Sequence, residues 1–365
     1  TSNVLAFNAG AETTTVGADL ALSNAQVNRN AGLNSQVKNG VVTITADQLT
    51  STGTIAANSN TVEVSSLGNQ ASSLIGVLAA NLNATAAAGN LQTNNATPIT
   101  AANTAPAVQV GVGFAGQNVA GTVTVNSNSL TANVDGNIAA TDVLLGATNI
   151  NSLSTAAAAS VSAQGAAATT TSAQSGASAT NLQGNYGANS PLSATVTDAK
   201  VEANFVQQSG AGAGTRVNLV GAVATLNNNT IQASAAGNTA GTSVTLNGGL
   251  LAGNTVNAQA GVGNAQFHET PVTATVSGST GVIALAGDLS GASYVTVNDN
   301  TVDASIRVNN AANSVGVTGA VLTAGPAPFG AGNNVSVSGT AATSNAAFAV
   351  ASSQVNTATQ AASNT

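Results

Sequence analysis

Asn128-Ser129-Leu130-Thr131-Ala132, running on through Gly136-Asn137-Ile138-Ala139 to Val143-Leu144-Leu145, is the stretch whose reading decides the fold. Two asparagines stand nine residues apart, each followed at fixed offsets by small and branched apolar residues. The frame returns at Asn229-Thr230-Ile231-Gln232-Ala233, Gly237-Asn238-Thr239-Ala240 and Val244-Thr245-Leu246. It returns again at Asn300-Thr301-Val302-Asp303-Ala304, Asn309-Asn310-Ala311 and Val315-Gly316-Val317, and more loosely at Asn60-Thr61-Val62 and Gly68-Asn69-Gln70-Ala71. Degenerate repetition of one frame marks stacked units of a single backbone path, not a globule built around a pocket. Function is then expected on the surface and ends of a rod.

Parity inside the frame gives the backbone. Leu130 and Ala132 share a face with Asn128, while Asn137, Ala139, Val143 and Leu145 share a face of opposite parity. Period two is that of a strand. The odd step between the two inward sets asks for a corner between Asn133 and Gly136. The expected fold is all-β, a single elongated β-solenoid (β-helix) over residues 1–365. Its coils would have two arcs and roughly 20–25 residues, stacked about 4.8 Å apart. The gaps between clear copies would hold about three degenerate coils each, and Asn254-Thr255-Val256 would begin another copy.

In that coil the expected core is Leu130, Ala132, Ala139, Val143, Leu145, Ile231, Ala233, Ala240, Val244, Leu246, Val302, Ala304, Val315 and Val317. The recurring Asn60, Asn69, Asn128, Asn137, Asn229, Asn238, Asn254, Asn300 and Asn309 are expected as amide ladders between coils or as corner residues. Either role is structural. Gly-Asn, Asn-Gly and Asn-Asn pairs are expected to supply positive φ at tight corners.

Composition favours a thin cross-section. Apolar residues make up 43% of the chain, but aromatics only 2%, so the core must be filled by Ala, Val, Ile and Leu. Charged residues are 5%, and the net charge is −7. The five basic residues, Arg29, Lys38, Lys200, Arg216 and Arg307, are scattered, which argues against nucleic acid as a partner. Cys is absent, which removes disulfide and thiolate chemistry and fits an exported protein made without crosslinks. No apolar run is long enough for a membrane span. The first residue is Thr1 and not Met, which is read as a signal peptide already removed.

The pattern fades in three places. Residues 1–20 and 340–365 are expected to be end or contact segments, with Phe7 and Phe348 as residues that cover an end or pair with a neighbour. Residues 152–190 are rich in Ala, Ser, Thr and Gly and are read as an outlying loop, a mobile insertion or very thin coils.

Candidate chemistry is sparse. Thr43/Thr45, Thr122/Thr124 and Thr195/Thr197 raise ice binding, but Thr is also the ordinary outer residue of a strand. Asp198, Lys200 and Glu202 alternate along one strand, and Asp299 and Asp303 flank Asn300 with Arg307 nearby. Paired carboxylates can cleave polysaccharide, yet the aromatic platforms of sugar clefts are missing. His268 beside Glu269 has no second His at ligand spacing and reads as a surface-loop residue. No enzyme activity, cofactor or metal is expected.

The Asn-x-Ala element at Asn69/Ala71, Asn137/Ala139, Asn238/Ala240 and Asn309/Ala311 resembles part of the curlin repeat of bacterial curli fibres. Curlin repeats carry Gln six positions after the Asn, where this chain has Val143, Val244 and Val315. The chain also resembles the β-helical holdfast-anchor surface proteins associated with curli-type secretion. The resemblance implies an extracellular, bacterial-surface structural subunit of a fibre or biofilm matrix, exported through an outer-membrane channel. Self-assembly is expected head to tail through open β-edges, which makes the chain its own partner. A non-polymerising β-helical adhesin that binds polysaccharide or surfaces is the alternative.

Overall fold

The computed structural model describes residues 3–113, 118–151, 159–166, 169–206, 217–249, 251, 253–285, 287–323, 333–337, 340–344 and 346–365. Among them every regular element is a strand and none is a helix.

The chain passes through five parallel sheets in a fixed order, circuit after circuit. Sheet 1 stacks Leu20–Arg29, Ala86–Asn95, Ala177–Tyr186, Ala260–His268 and Phe348–Asn356. Sheet 2 stacks Leu33–Lys38, Ile99–Thr104, Leu192–Thr197, Val272–Ser277 and Gln360–Asn364. Sheet 3 holds Val41–Ala46, Ala107–Val112, Lys200–Phe205 and Thr280–Leu285. Sheet 4 holds Thr54–Ala56, Asn118–Thr124 and Asn218–Asn227, the last paired with both Leu289–Ser290 and Tyr294–Asn298. Sheet 5 holds the long strands Thr61–Leu82, Ser129–Asn151, Thr230–Gly249 and Thr301–Gly319.

Circuits are far longer than the 20–25 residues that parity suggests. Vertically stacked asparagines are 68, 101 and 71 residues apart in sheet 5. In sheet 1 the steps are 66, 91 and 83 residues. The sequence gaps therefore hold the other four sheets of one circuit and not three hidden coils. The odd step is not a corner between arcs either. Ser129–Asn151 is one strand, whose register with Thr230–Gly249 skips Gly136. That local break swaps the inward face midway. Residues before it face sheets 2, 3 and 4, where Leu130 and Ala132 join one cluster with Ile99, Val110 and Val123. Residues after it face sheet 1, where Val143 and Leu145 join a second cluster with Ala86 and Ala179.

Two of the corners between sheets are left-handed residues repeated at equal places in successive circuits. Asn39, Ala105, Asp198 and Gly278 turn sheet 2 into sheet 3, with φ from 49 to 60°. Ser59, Ser127, Asn228 and Asp299 turn sheet 4 into sheet 5, with φ from 52 to 57°. Each of these last four directly precedes a ladder asparagine, so the asparagine follows the corner instead of forming it.

The three inner strands of sheet 1 are buried on both faces. One face meets sheet 5; a six-stranded antiparallel cover sheet packs on the other. The cover consists of three hairpins: Asn3–Ala9 with Glu12–Ala18, Ala159–Gln164 with Thr170–Ser175, and Asn333–Val337 with Thr340–Ser344. They precede the first, third and fifth strands of sheet 1 and never the second or fourth. The reason is dimensional. A hairpin adds two strand spacings, about 9.6 Å, which is the rise of two circuits at about 4.8 Å each.

Residues 152–190 are accordingly not one loop. Those from 159 on include a cover hairpin and a sheet 1 strand, whereas 152–158 lie outside the described residues. Their small side chains fit a strand squeezed between two layers: Ala177, Ser178, Ala179 and Thr180 are fully buried. Phe7 and Phe348 are half-buried against the chain's own clusters. Thr255–Asn257 pairs with Asn149–Asn151 and so extends sheet 5. Asn254 therefore begins no new copy, and its amide closes a local turn onto the Gly248 carbonyl at 2.6 Å. Of the expected core, Val302 is 37% exposed and Ala304, Val315 and Val317 half-buried, because Thr301–Gly319 is an edge strand of its sheet among the described residues.

Candidate functional site

Between sheets 1 and 5 runs a buried spine of side-chain amides. On the sheet 5 side Asn69, Asn137, Asn238 and Asn309 stack, each Nδ2 donating to the next Oδ1 at 2.8 Å. Facing them on sheet 1, Asn28 donates to Asn94 and Asn94 to Asn185, both at 2.8 Å. The two columns also bond across: Asn94 donates to Asn137 at 3.1 Å and Asn185 to Asn238 at 3.0 Å.

Next to them Gln26, Gln92, Gln183, Gln266 and Gln354 form a second column. Each later Gln donates to the Oε1 of the one before at 2.8–2.9 Å. The other N–H of the first four reaches across to a sheet 5 carbonyl, on Gln70, Ile138, Thr239 and Asn310. A third column links Asn24, Asn90, Asn181 and Asn264 at 2.6–2.7 Å. A fourth stands at the corner into sheet 5, where Asn60, Asn128, Asn229 and Asn300 bond at 2.7–2.9 Å. The second N–H of three of these holds a sheet 4 segment carbonyl, on Ala57, Val125 and Leu226.

Sequence reasoning missed the sheet 1 columns. Their signal is Asn-x-Gln-x-Asn at Asn24-Ala25-Gln26-Val27-Asn28, Asn90-Leu91-Gln92-Thr93-Asn94 and Asn181-Leu182-Gln183-Gly184-Asn185. It degrades to Asn264-Ala265-Gln266-Phe267-His268 and Ser352-Ser353-Gln354-Val355-Asn356. The last Asn of the motif gives way to His268, which is fully buried and no surface-loop residue. Its Nδ1 lies 3.1 Å from Asn185 Nδ2 and its Nε2 3.0 Å from Thr270 Oγ1. With Asn185 as donor, Nδ1 must accept and Nε2 carries the proton. Burial lowers the ring's pKa to about 4.

The other candidates are dispersed. Asp198 occupies a left-handed corner, and Glu202 accepts from Gln109 at 3.3 Å. Asp303 accepts from Gln232 at 3.0 Å. Among the described residues no three His, Asp or Glu side chains gather at metal-binding spacing. Thr43/Thr45, Thr122/Thr124 and Thr195/Thr197 belong to sheets 3, 4 and 2 respectively and form no common rank. Glu12 is buried and paired with Arg29, which also donates to the Ala9 carbonyl, tying the first hairpin to sheet 1.

What fold and site define together is an all-β protein of parallel sheets held by internal amide columns. No protein-family model matches the chain, and no curated protein or solved structure matches it.

Proposed function

We propose that the circuits wind as one β-solenoid and that the chain is a structural subunit of a secreted, surface-anchoring or biofilm matrix. The observation that carries this reading is the amide spine. Buried amides are costly unless every donor and acceptor is met, and a column meets them only by repetition along an axis. Such a column specifies layer register and rigidity, the properties of a shaft. The scarcity of charge, the absence of Cys and the curlin-like Asn-x-Ala elements support export to the bacterial surface, with matrix polysaccharide as a neighbour. Two modes of use differ in what happens at the ends. The Thr61–Leu82 strand, which among the described residues pairs on one side only and carries Leu74 60% and Leu78 91% exposed, supports a fibre subunit. Unlike side chains at the two edges support a free-standing rod, and this second reading is the one we favour.

Negative-stain images of the purified chain test the shaft. Straight particles of uniform narrow width are expected, and compact isotropic particles would sink it.

A further inference from the structure

The outermost circuits differ at the positions where layers meet. Gly68, Gly136 and Gly237 each precede a ladder asparagine at the break in sheet 5. A Cβ on Gly68 would run into the carbonyl oxygen of Gly136, one on Gly136 into that of Gly237, and one on Gly237 into that of Val308. Each layer therefore needs glycine there because another layer lies on top. The fourth layer has Val308 in this position, in register with the glycines between paired neighbours Arg307 and Asn309. Val308 is only 9% exposed and belongs to the core cluster, and its register puts a Cβ at the level where each glycine of the other layers faces the next layer's carbonyl.

The facing columns are altered at the same end. His268 replaces the fourth asparagine of its column, and Asn356 above it turns its amide onto its own Ala358 carbonyl. Ser352 takes the place of asparagine over Asn264, at 3.4 Å. At the opposite edge the set Asn24, Gln26, Asn28, Asn60, Gly68 and Asn69 is intact.

We propose that Val308 is a steric stop that prevents copies of this chain from stacking head to tail in register. At the Thr61–Leu82 edge the Gly68–Asn69 level calls for Gly-Asn, and a second copy's Thr301–Gly319 brings Val308-Asn309 there instead. Parallel edge addition is a general mode of β-augmentation, and one misplaced Cβ is enough to veto it because packed backbones do not give way.

The test compares the full chain with V308G and V308A by light scattering, negative stain and amide exchange. Both variants lose the Val308 packing, but only V308G loses the Cβ. V308G is expected to form rods at multiples of the single-molecule length, with amides of Thr61–Leu82 and Thr301–Gly319 becoming protected together. The unmodified chain and V308A are expected to show neither change at the same concentration. A folded V308G that stays single overturns the proposal. If V308G does not fold, amide exchange of the concentrated unmodified chain still decides. Unprotected outward-facing amides of Thr301–Gly319, those not already bonded to Thr230–Gly249, support the stop. Filaments protecting them overturn it and leave the shaft reading intact.

Discussion

Asn137 shows how one residue ties four neighbours. It accepts from Asn69 and Asn94 at 2.8 and 3.1 Å and donates to Asn238 and Asn185 at 2.8 and 3.2 Å. Asn137→Ala strands at least two buried partners, each costing about 1–3 kcal/mol, so a loss of about 2–4 kcal/mol is expected. Asn309→Ala should cost less, since its column neighbour is Asn238 alone. Denaturant midpoints of the two variants check this; equal shifts would mean the spine is not cooperative.

His268 makes the spine sensitive to acid. Its pKa is lowered from 6.5 to about 4 by burial, so unfolding takes up a proton between those values. Stability is then full above about pH 6.5 and falls toward pH 4, at a limiting slope of about 1.4 kcal/mol per pH unit. His268→Asn, which restores the column residue, should flatten that part of the stability curve. Melting temperatures across pH 4–7 would show it. Parallel curves for the two proteins would rule out His268 as the source. The sequence made the sheet 5 asparagines legible because their frame is long. It hid His268, since a lone His next to Glu269 gives no sign that five layers share its column.

The element scale turns on the sheet 5 strand and its break. Gly136→Ala places a methyl against the Gly237 backbone and the Asn185 amide. A destabilisation of about 1–3 kcal/mol is expected, as for other overpacked sites. Gly241→Ala, in the same sheet with open space around it, should change stability by less than about 0.5 kcal/mol. Thermal melts of the pair test whether backbone contact, not glycine itself, is the constraint. Strands and inward faces of this sheet could be read from alternation alone. The circuit could not, because parity reports which face a residue takes and not how many other sheets intervene before the chain returns. Sheet 1 escaped for a related reason. Its inner strands are buried on both faces, so no alternation of apolar with polar residues marks them as strands, and their Ala, Ser and Gly look like low complexity.

For the whole molecule the scarcity of cleavage sites matters. Four of the five basic residues are described, and Arg29 is engaged with Glu12. Edge-paired strands resist the local opening that proteolysis needs. The native chain is expected to outlast trypsin for hours under conditions that digest the heat-denatured chain, as a gel time course would show. Rapid loss of the full-length band would place a labile joint inside the stack.

The alternation of the cover hairpins sets a rule for how such a protein can change length. Removing a single lap of the chain, with or without its flap, leaves the outer layer one strand out of step with the layer beneath. Removing residues 86–259 takes out two laps and one flap and brings the faces back into step. Evolution or design can therefore shorten or lengthen this body only by even increments.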